Sequence, residues 1–136
     1  MMASAFFPAV PQTPLEKLLS SAKSLYVFFL FGIFVAPVFE EIIFRGFLFK
    51  VFSEMSGAAP AIVLTSVLFA LLHAVQLQGN WPAVAMIFLV GCVLAFLRNR
   101  SSSLIPGLIV HMSYNGMLFG MYALSTFVQK GHKPFS

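Results

Sequence analysis

Three clusters in this sequence have the residue types and spacing for proton transfer and polar recognition. Glu40 and Glu41 are adjacent with Arg45 four residues after Glu41, Phe69 stands four residues before His73, and His111 stands four before Asn115. A carboxylate and an imidazole can each accept or donate a proton, and a side-chain amide can act with an imidazole on one group. All three clusters lie in runs of Phe, Leu, Ile and Val. A charged side chain at the centre of a bilayer costs about 2.5–3.5 kcal/mol even on the most lenient insertion scale, so the charges of Glu40, Glu41 and Arg45 need a compensating role.

Spacing proposes a division of labour. Glu41 and Arg45 are i and i+4 with the acid first, the favourable order for a helical ion pair, whereas Glu40 points about 100° away and is left to face a cavity. His111 and Asn115 share one helix face, as do Phe69 and His73, with Phe69 packing beside the imidazole. Glu41, Arg45 and Phe69 are thus supporting residues, and Glu40, His73, His111 and Asn115 are the candidates for catalysis. Each also has a purely structural reading: Glu41 with Arg45 as a buried pair, and each histidine as a hydrogen-bonding link between helices. Glu40 has no adjacent cation and is the hardest to explain that way.

The elements that must position them are membrane helices. Of 136 residues 60% are hydrophobic and 9% charged, and the mean hydropathy is +0.94, which excludes an ordinary water-soluble domain. The sequence predicts an all-α membrane protein, a bundle of four transmembrane helices preceded by a short interfacial helix. The spans are expected at 24–52, 60–78, 82–97 and 104–128. Residues 1–23 form an N-terminal segment, in which Thr13-Pro14-Leu15-Glu16 reads as a capping box and Leu15, Leu18, Leu19 and Ala22 as one apolar face. The segment lacks the positive n-region of a secretory signal and is not read as a cleaved leader. Residues 24–129 are the core and 130–136 a basic tail. Pro37 is expected to kink the first span and free a backbone carbonyl just before the carboxylates. Gly79-Asn80-Trp81-Pro82 is a turn, Arg98 to Ser103 a polar loop, and Gly116 with Gly120 a helix-packing pair. At about 1.5 Å per residue, Glu40, His73 and His111 fall at comparable depth.

The net charge of +4 rests on lysines and arginines near segment ends, which suits lipid headgroups and suggests no nucleic-acid partner. It leaves the orientation undecided. The single Cys92 sits on an apolar segment without a nearby base and is read as packing.

Glu-Glu-x-x-x-Arg, Phe-x-x-x-His and His-x-x-x-Asn, in this order on successive apolar segments, resemble the CPBP family of intramembrane proteases (CAAX proteases and bacteriocin-processing enzymes, also called Abi). The matching residues are Glu40, Glu41 and Arg45, then Phe69 and His73, then His111 and Asn115. Gly46 and Leu104-Ile105-Pro106 are similar to the family's flanks, and the likeness extends from about Phe39 to Gly116. The resemblance implies an intramembrane endopeptidase in which Glu40 and His73 activate water while His111 and Asn115 hold the oxyanion. It also implies membrane lipids as surroundings and a peptide or prenylated protein as substrate, with oligomerisation left open. Metal-free catalysis by glutamate is the favoured reading. The alternative is zinc held by Glu40, His73 and His111 with one open position, although no His-Glu-x-x-His is present. Two other classes stand beside the protease: a proton- or ion-coupled transport fragment, which should show paired broken helices and internal repeats, and a non-catalytic peptide-binding or immunity protein.

Overall fold

The computed structural model describes residues 22–131, with side chains from 26 to 125. The amphipathic pattern at Leu15, Leu18 and Leu19 and the tail from His132 onward lie outside the described residues, as does any test of the interfacial helix. All elements among the described residues are helical.

The first helix, α1, is interrupted in its winding but not in its course. It consists of α-helical segments Ala22–Leu30, Ala36–Glu41 and Phe49–Ser56 joined by π-helical stretches Phe31–Val35 and Ile42–Leu48. Gly57, with φ +86°, adopts a conformation that L side chains rarely take, and so turns the chain directly into α2, Ala58–Gln76. A short turn leads to α3, Trp81–Ser101, whose start is capped by the Asn80 side chain accepting from the Ala83 N–H, with Pro82 in the first turn. α4 is Ile105–Gly131.

The four described helices follow the expected order, but two boundaries differ: α1 winds on to Ser56, past its expected end at residue 52, and α3 runs past residue 97. Arg98, Asn99, Arg100 and Ser101, expected in a polar loop, form the last turn of α3, which ends at Ser102 in the left-handed region (φ +53°). The expected boundary follows the drop in hydropathy, whereas the backbone keeps winding through Arg98 and Arg100, which have good helix propensity and can reach headgroups.

Three helical spans, Tyr26–Ser56, Ala58–Gln76 and Trp81–Ser101, are long and apolar enough to cross a bilayer. α4 has 27 residues, but His111, Ser113, Tyr114 and Asn115 dilute its apolar character and keep it outside that group. Outward faces carry exposed Leu64, Leu68, Leu71, Leu72 and Val75 on α2 and Leu89, Val93 and Phe96 on α3, surfaces suited to lipid rather than water. The protein is a membrane protein.

Small residues let α2 and α3 meet closely in their extensive pairing. A Cβ added to Gly91 would lie 3.1 Å from Ser66 Cβ and 3.2 Å from its Cα, so only glycine fits that crossing without displacing backbone. The buried hydroxyls there are satisfied within their own helix, Thr65 by Ala61 O and Ser66 by Ile62 O. Phe49, Ala61 and Ala95, flanked by Phe52 and Ile62, form the apolar core joining α1, α2 and α3. By contrast, Cβ atoms at Gly116 and Gly120 would meet nothing within 4 Å, so no described helix occupies that small-residue pair.

Candidate active site

Both carboxylates sit on the six-residue segment Ala36–Glu41 between the two π-helical stretches. In the first stretch the Ala36 N–H bonds Phe31 O rather than Gly32 O, and the next possible donor, residue 37, is a proline without an N–H. Gly32 O is therefore free of the helix, and the Asn115 side-chain N–H takes it at 2.9 Å. The disruption expected at Pro37 takes this form: a π-helical stretch whose spare carbonyl is bound by α4. The second stretch, unannounced by any proline, contains Arg45 and Gly46. There the Phe49 N–H bonds Phe44 O, which releases Arg45 O, and Arg98 Nε donates to it at 3.1 Å.

Glu41 and Arg45 are fully buried, at 1% and 0% relative exposure. Arg45 Nη1 lies 3.3 Å from Glu41 Oε1, the expected i, i+4 ion pair. The contact is within Coulombic range but off-axis for a hydrogen bond, and neither Nη1 nor Nε of Arg45 has a hydrogen-bond partner among the described residues. Arg45 Nη2 instead donates to Gly91 O at 3.2 Å. The flat guanidinium face stacks 4.5 Å from the centre of the Phe69 ring, a cation–π contact strengthened by the absence of water. Glu41 Oε2 lies against Gly107, where an added Cβ would come within 3.0 Å of it. A side chain at 107 would push on a carboxylate that has no room to retreat.

His111 bridges the two acids. Its Nδ1 is 3.0 Å from Glu41 Oε1 and its Nε2 is 3.3 Å from Glu40 Oε2. The Nδ1–H donates to the buried Glu41, while Nε2 faces Glu40 across the cavity edge. Glu40, which has no cation adjacent to it in sequence, meets the His111 imidazole of another helix. Its side chain still keeps 28% exposure, so it faces open space as well.

His73 is half-buried, and its Nδ1 lies 2.8 Å from Phe69 O. A carbonyl oxygen can only accept, so Nδ1 carries the proton and Nε2 presents a lone pair. Phe69 touches both imidazoles, with ring centres 4.6 Å from His73 and 5.6 Å from His111. One buried aromatic ring thus orders Arg45, His73 and His111 together.

Glu40, His73, His111 and Asn115 all line one cavity of about 420 Å³ between α1, α2, α3 and α4, walled otherwise mainly by apolar side chains such as Phe31, Ile87, Val90 and Leu118. Its volume falls in the range of small-molecule and peptide side-chain pockets, and the few polar groups converge in an apolar setting. Two further polar residues on its wall, Gln76 and Tyr114, were not singled out from sequence. Each stands three residues after a site histidine, hence on the same helix face, and that spacing is the signal that points to them. Gly107 and Arg98 were also missed, the first because a close approach leaves no mark on a lone sequence, the second because it was assigned to a loop.

The zinc set of Glu40, His73 and His111 shares one cavity wall but is not drawn together into a ligand cluster. Among the described residues no three His, Cys, Asp or Glu side chains are grouped so as to hold a metal.

Residues 22–117 match the family described as type II CAAX prenyl endopeptidase Rce1-like. A protein of Escherichia coli described as an uncharacterized 24.3 kDa protein is 35% identical over 123 residues, a stretch covering 82% of this chain and 54% of the relative. The chain spans about half the length of that curated relative. No solved structure matches it.

Proposed function

Because the chain belongs to the type II CAAX prenyl endopeptidase, Rce1-like family, we propose that it is a multi-pass intramembrane endopeptidase that hydrolyses a peptide bond of a membrane-associated or prenylated substrate. The observation that carries this reading is the convergence of Glu40, His73, His111 and Asn115 on one cavity among helices three of which are long and apolar enough to cross a bilayer. α4 serves as a fourth span, with His111, Tyr114 and Asn115 turned to that cavity and its length sufficient to cross.

In the proposed reaction a water sits between Glu40 and His73. Glu40, as the carboxylate, accepts one water proton while His73 Nε2 accepts a hydrogen bond from the other and fixes the oxygen's direction. The hydroxide oxygen attacks the peptide carbonyl carbon. The oxyanion that forms is held by His111 Nε2–H and by the second N–H of Asn115, the first being committed to Gly32 O. Collapse breaks the C–N bond, and Glu40 returns its proton to the leaving amine. Glu41 keeps the His111 ring oriented through Nδ1, and Arg45 balances Glu41's charge.

The test is cleavage of a farnesylated peptide ending in Cys-a-a-X by the purified protein in nanodiscs, with and without chelator. The proposal expects release of a C-terminal fragment at the same rate in both. Loss of activity on chelation with recovery on zinc addition would transfer Glu40, His73 and His111 to a rearranged metal site. Peptide binding without cleavage would favour the non-catalytic reading.

A further inference from the structure

The two π-helical stretches have a common consequence. Each skips one carbonyl of α1, and each skipped carbonyl is taken by a side chain of another helix: Gly32 O by Asn115 of α4, Arg45 O by Arg98 of α3. In the first case proline forbids the alternative. In the second nothing in α1 does, because the Phe49 N–H could swing from Phe44 O to Arg45 O and restore ordinary α-helical winding. Removing a π-helical residue rotates everything on one side of it by about 100° relative to the other. What distinguishes the two windings is that the π form leaves a carbonyl beside a fully buried residue in need of a donor, and Arg98 Nε supplies it.

We propose that Arg98 is a positioning residue for the Glu40–His111 pair, acting by holding Arg45 O and so fixing the π-helical winding that aims Glu40, Glu41 and Arg45 at α2 and α4. The route runs through short contacts. Arg98 holds the Arg45 backbone, Arg45 pairs with Glu41, Glu41 orients His111 Nδ1, and His111 Nε2 meets Glu40. Arg98 itself is not among the residues lining the cavity. Only the Nε–H is needed for the positioning role.

The role in catalysis rests on the proteolytic reading above, and the test separates the two. Three variants of the full chain in nanodiscs distinguish donor from charge. Arg98→Gln places an amide nitrogen the same number of bonds from Cα as Arg Nε. Arg98→Met has similar length and no donor, and Arg98→Lys keeps the charge but moves the donor one atom further out. The readouts are kcat and KM on the farnesylated peptide, the thermal midpoint, and the ¹⁵N shifts of the His111 ring. Arg98→Met and Arg98→Lys should lose about tenfold or more in kcat, as a small misplacement of reacting groups does, with KM changed less than about twofold and His111 shifts displaced. Arg98→Gln should recover most of kcat and the parental His111 shifts. Parental kcat and parental His111 shifts in Arg98→Lys overturn the proposal, and so does an Arg98→Gln as impaired as Arg98→Met. If the parent cuts no peptide, the proteolytic reading fails while the ring shifts still decide positioning. Displacement in Arg98→Lys reversed in Arg98→Gln upholds it, and unmoved shifts overturn it.

Discussion

At the scale of single residues, the adjacent acids have different surroundings and should respond differently to loss of charge. Glu41 Oε1 is shared between Arg45 and His111 in a fully buried position. Glu41→Gln keeps an oxygen for His111 but leaves Arg45 without a counter-charge, and breaking a buried pair on one side costs about 3–5 kcal/mol. The expected outcome is a large drop in thermal midpoint in detergent, with a parental midpoint contradicting the structural role given to Glu41. The types and spacing of Glu41, Arg45, Phe69 and His73 made these local partnerships legible in sequence, because i, i+4 neighbours on a helix meet whatever the rest of the fold does. The bridge from His111 to both acids was not legible. It joins residues 70 positions apart and depends on Gly107 leaving room for Glu41 Oε2.

At the scale of elements, the decisive feature is the winding of α1. Pro37 announced a disruption, and its sequence consequence, a freed carbonyl, is found at Gly32 with Asn115 as the acceptor's new donor. The second π-helical stretch had no such announcement, since a π-helical turn arises from tertiary demand rather than from a residue that forbids the α-helix. Pro37→Ala restores an N–H that can take Gly32 O and displace Asn115, relaxing the segment that carries Glu40. Helix stability should hold or rise, because the strongest helix breaker is replaced by the best helix former, while peptide cleavage falls. The comparison is thermal midpoint against cleavage rate. A variant with both parental midpoint and parental rate would detach the first π-helical stretch from function.

For the whole molecule, the proposed four-span reading implies a topology. In it the turn between α1 and α2 at Gly57 and the turn between α3 and α4 at Ser102 share one membrane face, and the turn between α2 and α3 at Gly79 lies on the other. In a Cys92→Ser background, single cysteines at Ser56 and Ser102 should react with an impermeant maleimide from the same side of sealed vesicles, and one at Gln78 from the opposite side. Labelling of the Ser56 and Ser102 positions from opposite sides contradicts the spanning arrangement. Composition alone made the membrane class and helix order readable, since an apolar run of this length has few other fates. It could not give orientation, because the basic residues divide between the two faces.

In the proposed reaction Glu40, opening onto the cavity beside His111, takes the proton from the attacking water. Glu40→Gln preserves shape and a hydrogen-bonding partner for His111 while removing the basic carboxylate. In nanodiscs, with mass spectrometry of the farnesylated Cys-a-a-X peptide, the parent should release a C-terminal fragment. Glu40→Gln, folded with a thermal midpoint close to the parent's, should release none above the uncatalysed background. Cleavage by a folded Glu40→Gln at the parental rate would contradict the account.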